Sequence, residues 1–104
     1  MHIRYKCKKN ADAQKVLLRG GRKVRTIGCN VSDEQALKEA FNETLNVFGK
    51  TDVCFANAGA GGGAPFHEFP TVMWRKVMAV NLDGTFFTFR EAAKHMIKRK
   101  KGGR

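Results

Sequence analysis

The arrangement of apolar positions changes character several times along the chain. The stretch NVSDEQALKEAFNETLNVFGK places Ala36, Leu37, Ala40, Phe41, Leu45 and Phe48 three and four residues apart. That spacing predicts a helix with one apolar face. Ser32 and Gln35 have the separation of a capping box, Asp33 and Glu34 fall in the first turn, and Gly49 supplies a stop. HIRYK (2–6) and KVRTIGC (23–29) read as short strands, with a helix over ADAQKVLLR between them that ends at Gly20 and Gly21. TDVCFAN (51–57) is a compact apolar run of the kind buried on both faces of a sheet. Beyond a glycine-rich stretch, Thr71 is a candidate N-cap. VMWRKVMAVNLDGTFFTFREAAKHMIKRK then has helical spacing, interrupted around Asn81 to Gly84.

The order is strand, helix, strand, helix, strand, helix. Alternation of this kind predicts right-handed crossovers and a parallel sheet, hence an α/β fold. No internal repeat and no linker divides the chain, so residues 1–104 are expected to form a single domain.

Length and charge narrow the classes. A chain of 104 residues suffices for one small domain and is short for a complete cofactor-dependent enzyme. No apolar run reaches the length of a membrane helix, and the basic start MHIRYKCKKN lacks the apolar core of a signal peptide. Cys7, Cys29 and Cys54 form no C-x-x-C pair and read as packed, reduced thiols, which places the expectation in the cytoplasm. The net charge of +11 is carried at the ends: residues 1–25 hold nine Lys or Arg and one acid, and residues 94–104 hold six and none. Such ends suit an anionic partner such as nucleic acid. They also suit solvated faces, and only Tyr5 supplies an aromatic to stack on a base. The three histidines show no ligand spacing, and no metal is expected. Phe86, Phe87 and Phe89 read as core.

The stretch CFANAGAGGGAP carries the chemical question. Gly59, Gly61 and Ala64 fit the pattern G-x-G-x-x-A, which resembles a pyrophosphate cradle. A cradle also needs a helix opening at its last small residue, so that free N–H groups and the helix dipole face the phosphates. Here Pro65 and Pro70 intervene, and the next helix begins near Thr71. Asp83 stands where a ribose-binding acid is sought, but inside a helical stretch. The alternative is a wide, flexible loop beside a ligand.

Three ordered motifs give a sharper picture: Asn30-Val31-Ser32-Asp33, Ala56-Asn57-Ala58-Gly59, and Val80-Asn81-Leu82-Asp83-Gly84-Thr85-Phe86. Together they resemble D-V-x-D, N-N-A-G and V-N-L-x-G-x-F of the short-chain dehydrogenase/reductase family. Trp74 in EFPTVMWRKVMAVN and the closing GGR, which looks like the entry to a fifth strand, extend the resemblance over nearly the whole chain. It implies a partial Rossmann-type three-layer fold holding the second to fourth strands and their helices. It also implies an NAD(P)-dependent oxidoreductase that interconverts an alcohol and a ketone or aldehyde.

By the same resemblance, Asn30 and Val31 lie at the adenine. Asn stands where the family usually has Asp, and keeps donor and acceptor without the charge. Asn57 braces the sheet, and Ala58 and Gly59 let the ribose approach the backbone; Ala56 replaces the motif's first Asn. Asn81 becomes a catalytic-support residue that kinks the helix and helps hold a water in the proton relay. Lys6, just after the first strand, favours a 2′-phosphate and so NADP over NAD, although by itself it reads as part of a solvated basic face. The family's T-G-x-x-x-G-x-G loop, its Ser and its Y-x-x-x-K pair have no match in these residues, so the chain alone is expected to be inactive. The resemblance further implies a homo-oligomer through the long helix and a small-molecule alcohol or carbonyl substrate. The alternatives are a non-catalytic interaction module derived from a Rossmann domain and a basic nucleic-acid binder.

Overall fold

A computed structural model describes residues 21 and 23–104. Lys6, the strand expected at 2–6 and the helix expected at 11–19 lie outside the described residues.

Helix α1 spans Glu34–Phe48. Asp33 is its cap: Oδ1 accepts from Ala36 N–H at 3.1 Å. This corrects the capping box on Ser32. The Ser32 N–H and hydroxyl both donate to Asn30 Oδ1, at 3.1 and 2.7 Å, so Ser32 is spent on the preceding turn and Asp33 caps in its place. Gly49 closes the helix at φ 78° and donates to the Leu45 carbonyl at 2.7 Å. Leu37, Ala40, Phe41 and Thr44 form the buried face.

After the glycine-rich loop a single 3-10 turn, Phe66–Glu68, leads into helix α2, Thr71–Met78. Pro70, with extended backbone, occupies the cap position and makes no side-chain cap bond, so Thr71 is the first helical residue. The interruption expected at Asn81–Gly84 is a π turn over Ala79–Asp83, in which Gly84 N–H reaches back to the Ala79 carbonyl. Helix α3, Gly84–Arg99, continues from it and ends at Lys100 with φ 56°.

The long helix packs across α1. One cluster gathers Cys29, Val31, Leu37, Ala40 and Val80, with Phe87 against it. A second gathers Phe41, Cys54 and Ala92, with Leu45 and Met96 at its edge. Cys29 and Cys54 are free and buried, and burial pushes both thiols up. Phe86 and Phe89 depart from the core expectation and stand half-exposed. They continue a stripe of Leu82, Ala93 and Ile97 on the face of α3 turned away from both clusters.

The expected strands at 23–29 and 51–57 form no ladder among the described residues, where only Gly28 makes an isolated bridge. Among the described residues, side chains meet these segments instead. Lys23 Nζ donates to the Val47 carbonyl, and Arg25 pairs with Glu43. Residues 51–57 gain one backbone partner: Arg104 N–H donates to the Asp52 carbonyl at 2.9 Å, and Cys54 N–H donates to the Arg104 carbonyl at 2.7 Å. One residue straddling two in this way is the hydrogen-bond pattern of a parallel pair. Val53 and Phe55 are exposed.

Candidate functional site

The interrupted helix, the end of the 51–57 segment and the turn at Asn30–Ser32 meet at one place. Val31, Asn57 and Ala58 line a small concavity whose other wall is Gly84, Thr85 and Thr88. Gly84 is what lets these parts meet. A Cβ built there would lie 2.8 Å from Val31 Cγ2 and 3.1 Å from the Val31 carbonyl oxygen. Thr88, buried, donates to the Gly84 carbonyl at 2.7 Å.

Asn81 works on the other side of the π turn. Its Oδ1 accepts from Ala60 N–H at 2.7 Å and its Nδ2 donates to the Ala60 carbonyl at 2.8 Å. Thr85 in turn donates to the Asn81 carbonyl at 2.7 Å. A π turn adds one residue to the helical circuit and loosens the backbone bonding pattern, which is why such turns recur at functional sites. Gly59 completes the contact: a Cβ there would stand 3.4 Å from Asn81 Oδ1. Further along, Gly62 lies so close to Met73 that a Cβ would meet its sulfur at 2.6 Å. The loop expected to be wide and flexible is therefore anchored at Ala60 and at Gly62. No helix opens at Ala64, and Phe66–Glu68 makes only one 3-10 turn, so the arrangement is not that of a pyrophosphate cradle.

The described residues singled out in the sequence thus fall into one region. Val31 is buried; Asn57 and Gly59 are exposed, and Ala58 is half-buried. Asn30 is exposed beside Val31, with its Oδ1 occupied by Ser32 and its Nδ2 left to donate. Gly84, Thr85 and Thr88 escaped the sequence reading as site residues. The one signal for them was a glycine, costly in a helix interior, within the third motif.

A family model described as short chain dehydrogenase matches residues 3–104. The chain belongs to the short-chain dehydrogenase family. The (-)-trans-carveol dehydrogenase of Rhodococcus erythropolis is 32% identical over 85 residues, which are 80% of this chain and 30% of that protein. The 2-dehydro-3-deoxy-D-gluconate 5-dehydrogenase of Pseudoalteromonas atlantica is 37% identical over 82 residues, 79% of this chain and 32% of that one. Among solved structures, NAD+-bound xylitol dehydrogenase superposes with a TM-score of 0.85 at 28% identity, covering 89% of this chain and 36% of that one. The NADPH-dependent 3-quinuclidinone reductase of Rhodotorula rubra gives 0.80 at 29% identity, covering 95% and 38%. This short-chain dehydrogenase chain spans about a third of the length of the curated relatives it matches. Its neighbours make the fold an α/β Rossmann fold, of which the described residues carry the helices and the segment paired to Arg104.

Among the described residues of this family member, no group of three or more His, Cys, Asp or Glu converges as a metal site would require. No helix among them is long and apolar enough to cross a membrane. His67 is exposed beside Glu68 at 3.7 Å, away from the concavity.

Proposed function

We propose that this chain is part of a nicotinamide-dependent oxidoreductase that interconverts an alcohol and a ketone or aldehyde, with NADP favoured over NAD. The observation that carries the proposal is the meeting of Val31, Asn57 and Ala58 in one concavity beside the loop that Asn81 pins. The residues present fit the adenosine side of a dinucleotide. Apart from Phe55 the walls are small, Gly59 is exposed, Asn57 offers a polar group in the lining, and Asn30 Nδ2 offers another beside Val31.

In this reading Asn30 donates from Nδ2 to a ring nitrogen, and the Val31 backbone lies along the base. Asn57 holds the end of its segment, and Ala58 and Gly59 admit the ribose to the backbone. Lys6 meets a 2′-phosphate. Asn81 fixes the Ala60 peptide and orders the nearby proton path. The bound nicotinamide supplies hydride transfer. Residues 1–104 act as one partial dinucleotide-binding domain, and the chain in isolation is inactive, since no described group is placed as an acid/base at the concavity.

Relatives are named for carveol and for 2-dehydro-3-deoxy-D-gluconate, which supports a small-molecule alcohol or carbonyl substrate here. The apolar stripe Leu82, Phe86, Phe89 and Ile97 supports a homo-oligomer contact through α3. Neither nucleic acid nor a membrane is a partner in this reading, and the protein works in the cytoplasm.

Titration of the 15N-labelled chain with NADP+ and NAD+ tests the cofactor reading. Shift changes are expected at Val31, Asn57 and Gly59, with tighter binding of NADP+ that Lys6→Ala abolishes. Shift changes absent from those residues, or the same affinity for both nucleotides, overturn the respective parts. Light scattering of Phe89→Asp beside the native chain tests the α3 contact, which a native monomer would overturn.

A further inference from the structure

His95 takes no part in the concavity, yet it makes a bond that depends on its protonation state. Thr51 opens the segment that leads to Asn57, and α3 side chains hold both of its backbone groups. Its N–H donates to His95 Nε2 at 3.2 Å. One helical turn further on, Arg99 Nη1 donates to the Thr51 carbonyl at 3.3 Å and Arg99 Nη2 to Asp52 Oδ1 at 2.6 Å. Among the described residues no ladder serves these groups. Thr51 is 4% exposed, and its hydroxyl has no partner. Losing the one acceptor for a buried N–H is therefore costly.

Nε2 accepts only while it carries no proton, which leaves the ring proton on Nδ1; an imidazolium offers donors alone. From α1, Phe41 meets the ring edge-on, with centroids 6.3 Å apart, and brings no charge. From the 50–54 segment the charged neighbours are Asp52 and Lys50, paired at 3.4 Å. On α3 itself they are Arg99, one turn on, and the Glu91–Lys94 pair, one turn back.

We infer that His95 is a pH-operated latch on the start of the 51–57 segment. The neutral imidazole holds Thr51 N–H. Taking up one proton from solvent at Nε2 sets two donors against each other beside the Arg99 guanidinium, and the latch opens. Release reaches the next backbone bonds along the segment, those of Asp52 and Cys54 to Arg104, while the ion pair of Arg99 with Asp52 persists.

Amide exchange of the full 15N-labelled chain, followed from about pH 8 to about pH 5, tests this. Each rate is divided by the intrinsic rate at its pH. Thr51 protection is expected to fall by about tenfold over that range, with Cys54 following and Leu37 to Phe41 in α1 unchanged. His95→Gln keeps an acceptor and cannot titrate, so its Thr51 protection stays level. His95→Phe loses protection at every pH. Constant protection in the native chain, or an unaltered loss in His95→Gln, overturns the latch. Imidazole 15N shifts test it with no substitution: a proton on Nε2 at neutral pH also overturns it.

Discussion

Asn81 and Ala60, twenty-one residues apart, are joined by a two-way bridge: the Asn81 amide accepts from the Ala60 N–H and donates to the Ala60 carbonyl. A carboxylate keeps the first bond and loses the second. Asn81→Asp is therefore expected to cost about 1 kcal/mol of loop protection, and Asn81→Leu about 2 kcal/mol. The Ala60 and Gly59 amides report the loss by hydrogen exchange, with α1 as the unchanged control.

Gly84 opposes two effects of known size. Glycine in a helix interior is worse than alanine by about 1 kcal/mol. A Cβ at that position lies 2.8 Å from a Val31 methyl and 3.1 Å from the Val31 carbonyl oxygen, and overpacking of a buried contact costs about 1–3 kcal/mol. The β-branched side chain and the backbone oxygen yield little, so the clash prevails. Gly84→Ala is expected to lower the melting temperature. Adding Val31→Ala recovers less than half of the loss, since the carbonyl stays in place. Thermal melts of the two single variants and the double variant check this.

The two helix ends make a matched pair. Gly49 and Lys100 both have positive φ, at 78° and 56°. Nothing lies within 4 Å of a Cβ at Gly49, so only the backbone conformation is at stake there. Gly49→Ala is expected to destabilise by about 1 kcal/mol. Lys100→Gly removes the same strain and is expected to stabilise by about 0.5 kcal/mol after the entropy of the unfolded glycine is subtracted. Denaturant midpoints of the two variants should move in opposite directions.

Two exposed carboxylates set the behaviour in acid. The hydrogen bond from Arg90 holds Glu34 below its usual range, and that from Arg99 does the same for Asp52. A carboxyl whose folded value is depressed contributes its full stability above the unfolded value. That contribution drains away as pH falls through the folded value. These two carboxylates are therefore expected to make the melting temperature fall below about pH 4. Glu34→Gln and Asp52→Asn should each flatten the decline. High salt should flatten it too, because both pairs face water.

Helix α1 was legible from its apolar spacing and from Gly49, because those signals are local. Its cap was not. Ser32 and Asp33 both satisfy the local rule, and the choice fell to Asn30, whose Oδ1 takes both groups of Ser32. The candidate site was legible as three motifs: Asn57 to Gly59 and Asn81 are where chain order suggested. Thr85 and Thr88 were not, because a threonine in an amphipathic helix carries no mark of which neighbour its hydroxyl finds.

The sequence by itself determined that two amphipathic helices flank an apolar segment and that the second is flawed between Asn81 and Gly84. Helical periodicity and glycine are properties of nearby residues, so they need no partner to be read. Only the tertiary structure decided what the flaw does: Ala60 and Val31, from distant parts of the chain, sit against its two sides. It also decided that, among the described residues, His95, Arg99 and Arg104 hold the start of the 51–57 segment. Backbone groups in an extended segment have no bonding partners within the segment, and only its neighbours in space supply them.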